Sequence, residues 1–164
     1  DLYKALELAA RYDRRIIVER GINAREIEIS VLGNDNPIVS SPGEVIPGDE
    51  FYSYDDKYID GVAKTMVPAD LSEATIQRVQ AMALQVYKSV DCAGMARVDF
   101  LIDKQTEELF FSEINTIPGF TPISMFPKLF AHDGISYPEL IDRLIDLALE
   151  RKADRDHTLR SAEI

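Results

Sequence analysis

Two neighbouring stretches, "ARVDFL" at 96–101 and "FFSEINTIPGF" at 110–120, constrain the fold of this chain more than any other part of it. Both alternate polar and apolar residues with a period of two, the pattern of a strand with one face in a core. Residues two apart on a strand point to the same side. Arg97 and Asp99 therefore share a face, and Ala96, Val98, Phe100 and Ile102 form the other. On the second strand Glu113 and Asn115 share a face, with Phe110, Ser112 and Ile114 opposite. A three-residue hairpin loop at Gln105–Glu107 would set Asp99 opposite Glu113 and Arg97 opposite Asn115.

Two carboxylates facing each other across strands repel. Water, Arg97, a shared proton or a metal ion could offset this. No His or Cys stands nearby, which argues against zinc; carboxylates with an amide oxygen suit a hard cation such as Mg²⁺, whose shell substrate phosphates usually complete. An Arg on the same face would then meet a phosphate or a developing oxyanion. The plainer alternative is a solvated sheet face whose ion pair contributes at most about 1 kcal/mol. Against it, the second strand runs straight into "TIPGFT", a Pro-Gly turn at a strand end, where binding loops commonly sit.

Elsewhere, residues 2–12 read as a helix and "RRIIVER" (14–20) as a strand ending at Gly21. "REIEISVLG" (25–33) alternates, with Ile27, Ile29 and Val31 on one side and Glu26, Glu28 and Ser30 on the other. A turn at 34–36 leads into a short return strand, "PIVS". Residues 41–65 look irregular and carry the cluster "FYSYDDKYID" (51–60); a loop this long in a compact domain is usually functional or disordered, and its aromatic content argues against disorder. Residues 71–90 form an amphipathic helix with Ile76, Val79, Ala83, Val86 and Val90 as its stripe and Asp70 or Ser72 as its cap. Residues 136–152 form a final helix with Ser136 and Glu139 as a capping box and Leu140, Leu144, Ile145 and Ala148 as its stripe. Residues 153–164 are polar and expected to fray. Strands and helices mix without a regular βαβ rhythm, so the expected class is α+β with a largely antiparallel sheet.

The 164 residues fit one domain, or a domain and part of another. With 29 acidic against 18 basic residues the formal net charge is -11, which argues against a nucleic-acid or anionic-membrane surface as main partner. One cysteine, Cys92, rules out an internal disulfide and suits a reducing cytoplasm. It reads as a small buried residue, and His132 and His157 join no metal or triad arrangement. No apolar run approaches the roughly 20 residues that span a bilayer. The chain starts with Asp1 inside a helical pattern, so an upstream part is expected.

The motifs "ARVDF", "SEINTIPGFTPISMFP" and "DDKYID" together resemble the C-terminal part of the D-alanine–D-alanine ligases, members of the ATP-grasp superfamily. The resemblance runs from about Tyr3 to Lys152. It implies an ATP-dependent ligase that phosphorylates one D-alanine carboxylate and lets the amine of a second D-alanine attack the acyl phosphate, for peptidoglycan synthesis. It further implies ATP and two Mg²⁺ ions (or Mn²⁺) as cofactors, a cytoplasmic location and a homodimer. Residues 1–20 would end the central subdomain, 21–152 form the C-terminal one and 153–164 a polar tail. The N-terminal and remaining central parts would lie upstream, so residues 1–164 alone are expected to be inactive. Asp99, Glu113 and Asn115 match the metal ligands. Arg97 and the Gly119 N–H match the groups that stabilise the tetrahedral intermediate. Ser124 and the Met125 N–H match those that hold the second D-alanine's carboxylate. Glu19 matches a contact near the adenine, Glu26 one to the ribose, Lys57 a phosphate contact and Tyr58 a residue acting across the closed site, favouring the dipeptide product. Another ATP-grasp carboxylate–amine ligase, or a non-catalytic nucleotide-binding domain, would share part of this pattern.

Overall fold

The computed structural model describes residues 2–46 and 64–157. Helix α1 (Leu2–Ala9) is followed by a turn and a segment that is neither helix nor strand. Strands β1 (Ala24–Gly33), β2 (Ile38–Val39), β3 (Gly43–Ile46) and β4 (Lys64–Met66) come next, then helix α2 (Glu73–Ser89). The β5–β6 pair (Gly94–Asp103, Leu109–Asn115) and helices α3 (Met125–His132) and α4 (Tyr137–His157) complete the chain. The sheet runs β4-β3-β1-β5-β6, with β2 added to β1, and every described pairing is antiparallel.

Alternation in β1 and β5 divides the sheet into two faces. Ile27, Ile29 and Val31 of β1 and Ala96, Val98, Phe100 and Ile102 of β5 are buried against Val79, Ala83 and Tyr87 of α2. Ser72 caps α2, its hydroxyl accepting from the Thr75 N–H at 3.2 Å. On the opposite face α3 and α4 cover one end: Leu32 packs with Phe126, Phe130, Ile135 and Leu140. Gly43 lets α3 lie close to the sheet, because a Cβ there would stand 2.3 Å from Cε of Met125 and 2.7 Å from Cδ2 of Leu129. The rest of that face carries the polar residues.

Several expectations need correction. Residues 14–20 are not a strand: none of the described strands pairs with them, and Ile17 and Val18 are exposed. A strand needs a neighbour for its backbone groups, which β propensity alone does not supply. The 41–65 region is not wholly irregular, since β3 and β4 pair across it. The α2 stripe holds Tyr87, whose hydroxyl donates to the Gly33 carbonyl at 2.6 Å, whereas Val90 caps the helix and is exposed. In α4, Leu147 packs inward and Ile145 faces out. The Glu139 N–H lies 3.4 Å from the Ser136 hydroxyl, but the Glu139 carboxylate pairs with Arg143, so the capping box is half formed. Helix α4 continues to His157 through the expected frayed region, with a Lys152–Asp156 ion pair one turn apart.

The hairpin also differs. Its loop spans Lys104–Glu107, one residue longer than expected, closed by the Asp103 N–H on the Glu108 carbonyl at 3.0 Å, with Glu107 at φ 57°. Near the loop Ile102 pairs with Leu109 and Leu101 with Phe110. A bulge at Ser112 absorbs the extra residue, and beyond it Asp99 pairs with Glu113 and Arg97 with Asn115, as the alternation predicts. The bulge also moves Phe110 to the polar face, opposite Leu101, not to the core face expected from strict alternation.

Candidate active site

Strand register aligns the polar face in rows running across the sheet. One row is Val45–Glu26–Leu101–Phe110, the next Gly43–Glu28–Asp99–Glu113, the third Ser30–Arg97–Asn115. The middle row sets three carboxylates side by side on adjacent strands. Arg97, one step along β5, answers them. Its Nε and Nη2 donate to Oδ1 and Oδ2 of Asp99, both at 2.7 Å, and its Nε lies 3.2 Å from Oε2 of Glu28. Burial works against the charge of this guanidinium. The hydrogen bond to Asp99 and the attraction of Glu28, Asp99 and Glu113 outweigh that and raise its pKa.

Ser30 and α3 close one side of the face. The Ser30 hydroxyl is buried and donates to the Phe126 carbonyl at 3.3 Å. The loop 116–124 then returns from β6 to α3. Phe120 anchors it, packed on Phe126 and Tyr137, whose hydroxyl donates to the Phe120 carbonyl at 2.8 Å. Two residues singled out in the sequence meet here: a Cβ on Gly119 would stand 2.8 Å from the hydroxyl of Ser124. That hydroxyl also accepts from the Thr121 N–H at 3.0 Å and shares a 2.8 Å hydrogen bond with the Thr121 hydroxyl. Ser124 is the N-cap of α3, so its oxygen sits where helix N–H groups begin. The Met125 side chain is buried against Val45 and Leu129.

Of the sequence-predicted residues, Glu26, Arg97, Asp99, Glu113 and Asn115 share one face, and Gly119, Ser124 and Met125 meet at the loop–α3 junction. Glu19 is exposed in the segment before β1; the next residue, Arg20, lies over the Phe110 ring at 5.1 Å, at the far end of the same face. Lys57 and Tyr58 lie outside the described residues. Glu28 was not singled out in the sequence, although the alternation that selects Glu26 reaches it two residues on.

The donor types of Asp99, Glu113 and Asn115 suit a hard divalent cation. Among the described residues, however, no three acidic, His or Cys side chains are gathered closely enough to hold a metal, and Arg97 engages both Asp99 oxygens. The fit to such an ion is therefore one of donor type.

The antiparallel sheet has helices on both faces and a row of carboxylates where they leave it open; the family and structural matches place this fold in the ATP-grasp class. The model for the D-ala D-ala ligase C-terminus family matches residues 1–146, and the chain belongs to this family. It is 57% identical over 155 residues to a D-alanine–D-alanine ligase of Chloroherpeton thalassium, covering 94% of this chain and 42% of that protein. A ligase of the same name from Acetivibrio thermocellus is 53% identical over 154 residues, covering 94% and 41%. Among solved structures, the D-alanine–D-alanine ligase of Coxiella burnetii superposes with a TM-score of 0.82 at 42% identity, covering 94% of this chain and 40% of that one. A D-Ala:D-Ser ligase of Enterococcus faecalis superposes with a TM-score of 0.77 at 36% identity, covering 89% and 42%. The chain thus spans about two-fifths of the length of these relatives.

Proposed function

We propose that this chain is the C-terminal portion of an ATP-dependent ligase that joins two D-alanine molecules for peptidoglycan synthesis. The observation that carries it is the Glu28–Asp99–Glu113 row with Arg97 beside it, in a chain 57% identical to a protein of that name. In this reading residues 1–20 end the central subdomain and 21–152 build the C-terminal one. The remaining parts, the homodimer and the cytoplasmic location belong to the whole protein.

The first carboxylate attacks the γ-phosphorus of ATP and ADP leaves; the second amine then adds to the acyl phosphate, and phosphate departs as the nitrogen gives up a proton to leave the amide. Asp99, Glu113 and Asn115 would hold two Mg²⁺ ions, or Mn²⁺, which would supply positive charge against the triphosphate. Arg97 and the Gly119 N–H stabilise the oxyanion of the tetrahedral intermediate. Ser124, through its hydroxyl, and Met125, through its N–H, hold the second D-alanine's carboxylate at the start of α3, where an anion is favoured. Glu26 accepts from the ribose hydroxyls and Glu19 lies near the adenine. Lys57 contacts phosphate, and Tyr58 favours an amine as nucleophile.

A coupled phosphate-release assay on the full-length protein tests this. Turnover with D-alanine and not with L-alanine is expected, along with loss of Mg²⁺-dependent turnover in Asp99→Ala and Glu113→Ala. Equal turnover of the two alanines would sink the substrate assignment, and near-normal rates in the variants would sink the metal assignment. Residues 1–164 alone should release no phosphate above background. The likeness to a D-Ala:D-Ser ligase supports a second reading, with another second substrate, which D-serine in the same assay distinguishes.

A further inference from the structure

Glu28 has no role in the reaction as described, yet it occupies the centre of the site. It stands on β1 directly opposite Asp99, and its side chain is only 15% exposed. Two acids facing each other across strands oppose folding, so an apolar or hydroxyl side chain would serve β1 better there. Among its neighbours is Arg97, whose Nε lies 3.2 Å from Oε2 of Glu28. One guanidinium therefore stands between two carboxylates and favours one of them: two 2.7 Å hydrogen bonds to Asp99 against a single longer contact to Glu28.

That preference conflicts with metal binding. While Arg97 closes its fork over Asp99 it takes one lone pair on each oxygen, and its positive charge beside them opposes a divalent cation. A guanidinium pushed off Asp99 in this partly buried site would be left unpaired without a second acceptor, which is costly. We infer that Glu28 is a positioning residue, the carboxylate onto which Arg97 turns when Asp99 takes a divalent cation. The exchange frees Asp99 and keeps Arg97 paired and aimed into the site. The contact at 3.2 Å means the new partner is already within reach. This rests on the reading that Asp99 is a metal ligand.

Mn²⁺ affinity, read by electron paramagnetic resonance on the full-length protein, tests it through a double-mutant cycle. Glu28→Gln should weaken Mn²⁺ binding by about tenfold, the low end of what losing an outer-shell partner does. Arg97→Met should bind Mn²⁺ at least as tightly as the wild type, since nothing then competes for Asp99. In the Arg97→Met background, Glu28→Gln should change affinity by less than about twofold, because its route of action is gone. Equal losses in both backgrounds would mean that Glu28 acts on the cation itself and would overturn the inference. So would unchanged affinity in Glu28→Gln alone. Failure of the wild type to bind Mn²⁺ at all would instead strike the metal reading of Asp99. If Glu28→Gln does not fold, Glu28→Asp keeps the charge, shortens the reach and should show a smaller loss in the same direction.

Discussion

Arg97 grips Asp99 with both ends of its fork, two residues along the same strand, at 2.7 Å for each hydrogen bond. Residues two apart on a strand share a face, so β5 alone supplies this pair. β1 and β6 add Glu28 and Glu113 on either side of Asp99. The site's main positive group is thus held by the site's own acid.

The geometry of that grip makes Arg97→Lys a non-conservative change. A lysine is a point charge and cannot engage both oxygens. The expected loss of stability is about 1–2 kcal/mol, below the cost of breaking a fully buried pair because this one is partly exposed. Under the proposed function, turnover of the full-length protein should fall about a hundredfold or more, because Arg97 stabilises the oxyanion there. Urea melts and steady-state rates on the same preparations check both; wild-type turnover would remove Arg97 from the reaction.

Gly119 and Ser124 constrain each other. A Cβ at 119 would approach the Ser124 hydroxyl to 2.8 Å, so Gly119→Ala should push that hydroxyl away from Thr121. The loop is exposed there, so stability should change by less than about 1 kcal/mol. Under the proposed function, the KM for the second D-alanine should rise in Gly119→Ala, as it should in Ser124→Ala. The double variant should lose less than the sum of the two, since the sites are in contact. Strict additivity would show that they act separately.

Away from the site, Arg25 joins three elements. Its Nε and Nη2 donate to the Glu44 carboxylate at 2.8 and 2.6 Å, and its Nη2 also donates to the Asp70 carbonyl at 2.9 Å. Glu44 is buried. Arg25→Met would leave that carboxylate without its partner and should cost about 2–3 kcal/mol. Arg25→Met combined with Glu44→Leu, which removes both charges, should recover most of the loss. A double variant as unstable as the single one would mean that the tether to Asp70 matters more than the ion pair.

The β5–β6 loop contains a pH-sensitive contact. The Asp103 carboxylate accepts from the N–H groups of Thr106 and Gln105 at 3.0 and 2.8 Å, which holds its pKa below the ordinary carboxylate value. A group whose pKa is lower folded than unfolded contributes stability above its unfolded pKa and loses it as pH falls through the folded one. The stability gap between wild type and Asp103→Asn should therefore be full at neutral pH and shrink below about pH 4. A gap that stayed constant in melts down to pH 2 would contradict this.

Much of this organisation is legible along the chain. The period-two patterns at 25–33, 96–103 and 113–115 determine which side chains share a face, because strand stereochemistry alone enforces it where no bulge intervenes. The 3.6-residue periods at 71–90 and 136–152 locate two helices, though the neighbours replaced Val90 by Tyr87 and Ile145 by Leu147 in the core. The segment 14–20 looks like a strand from its β-branched residues, but propensity cannot provide a partner strand.

By itself the sequence determined that Arg97, Asp99, Glu113 and Asn115 would form a polar face and that a Pro-Gly loop would follow it. Only the tertiary structure decided that Glu28 stands beside Asp99, that a bulge at Ser112 restores the register a longer loop would have shifted, and that Arg97 is shared between two carboxylates. The reason is one of range. Facing along a strand is local, but which strand lies beside it depends on packing between residues some seventy positions apart, such as Glu28 and Asp99.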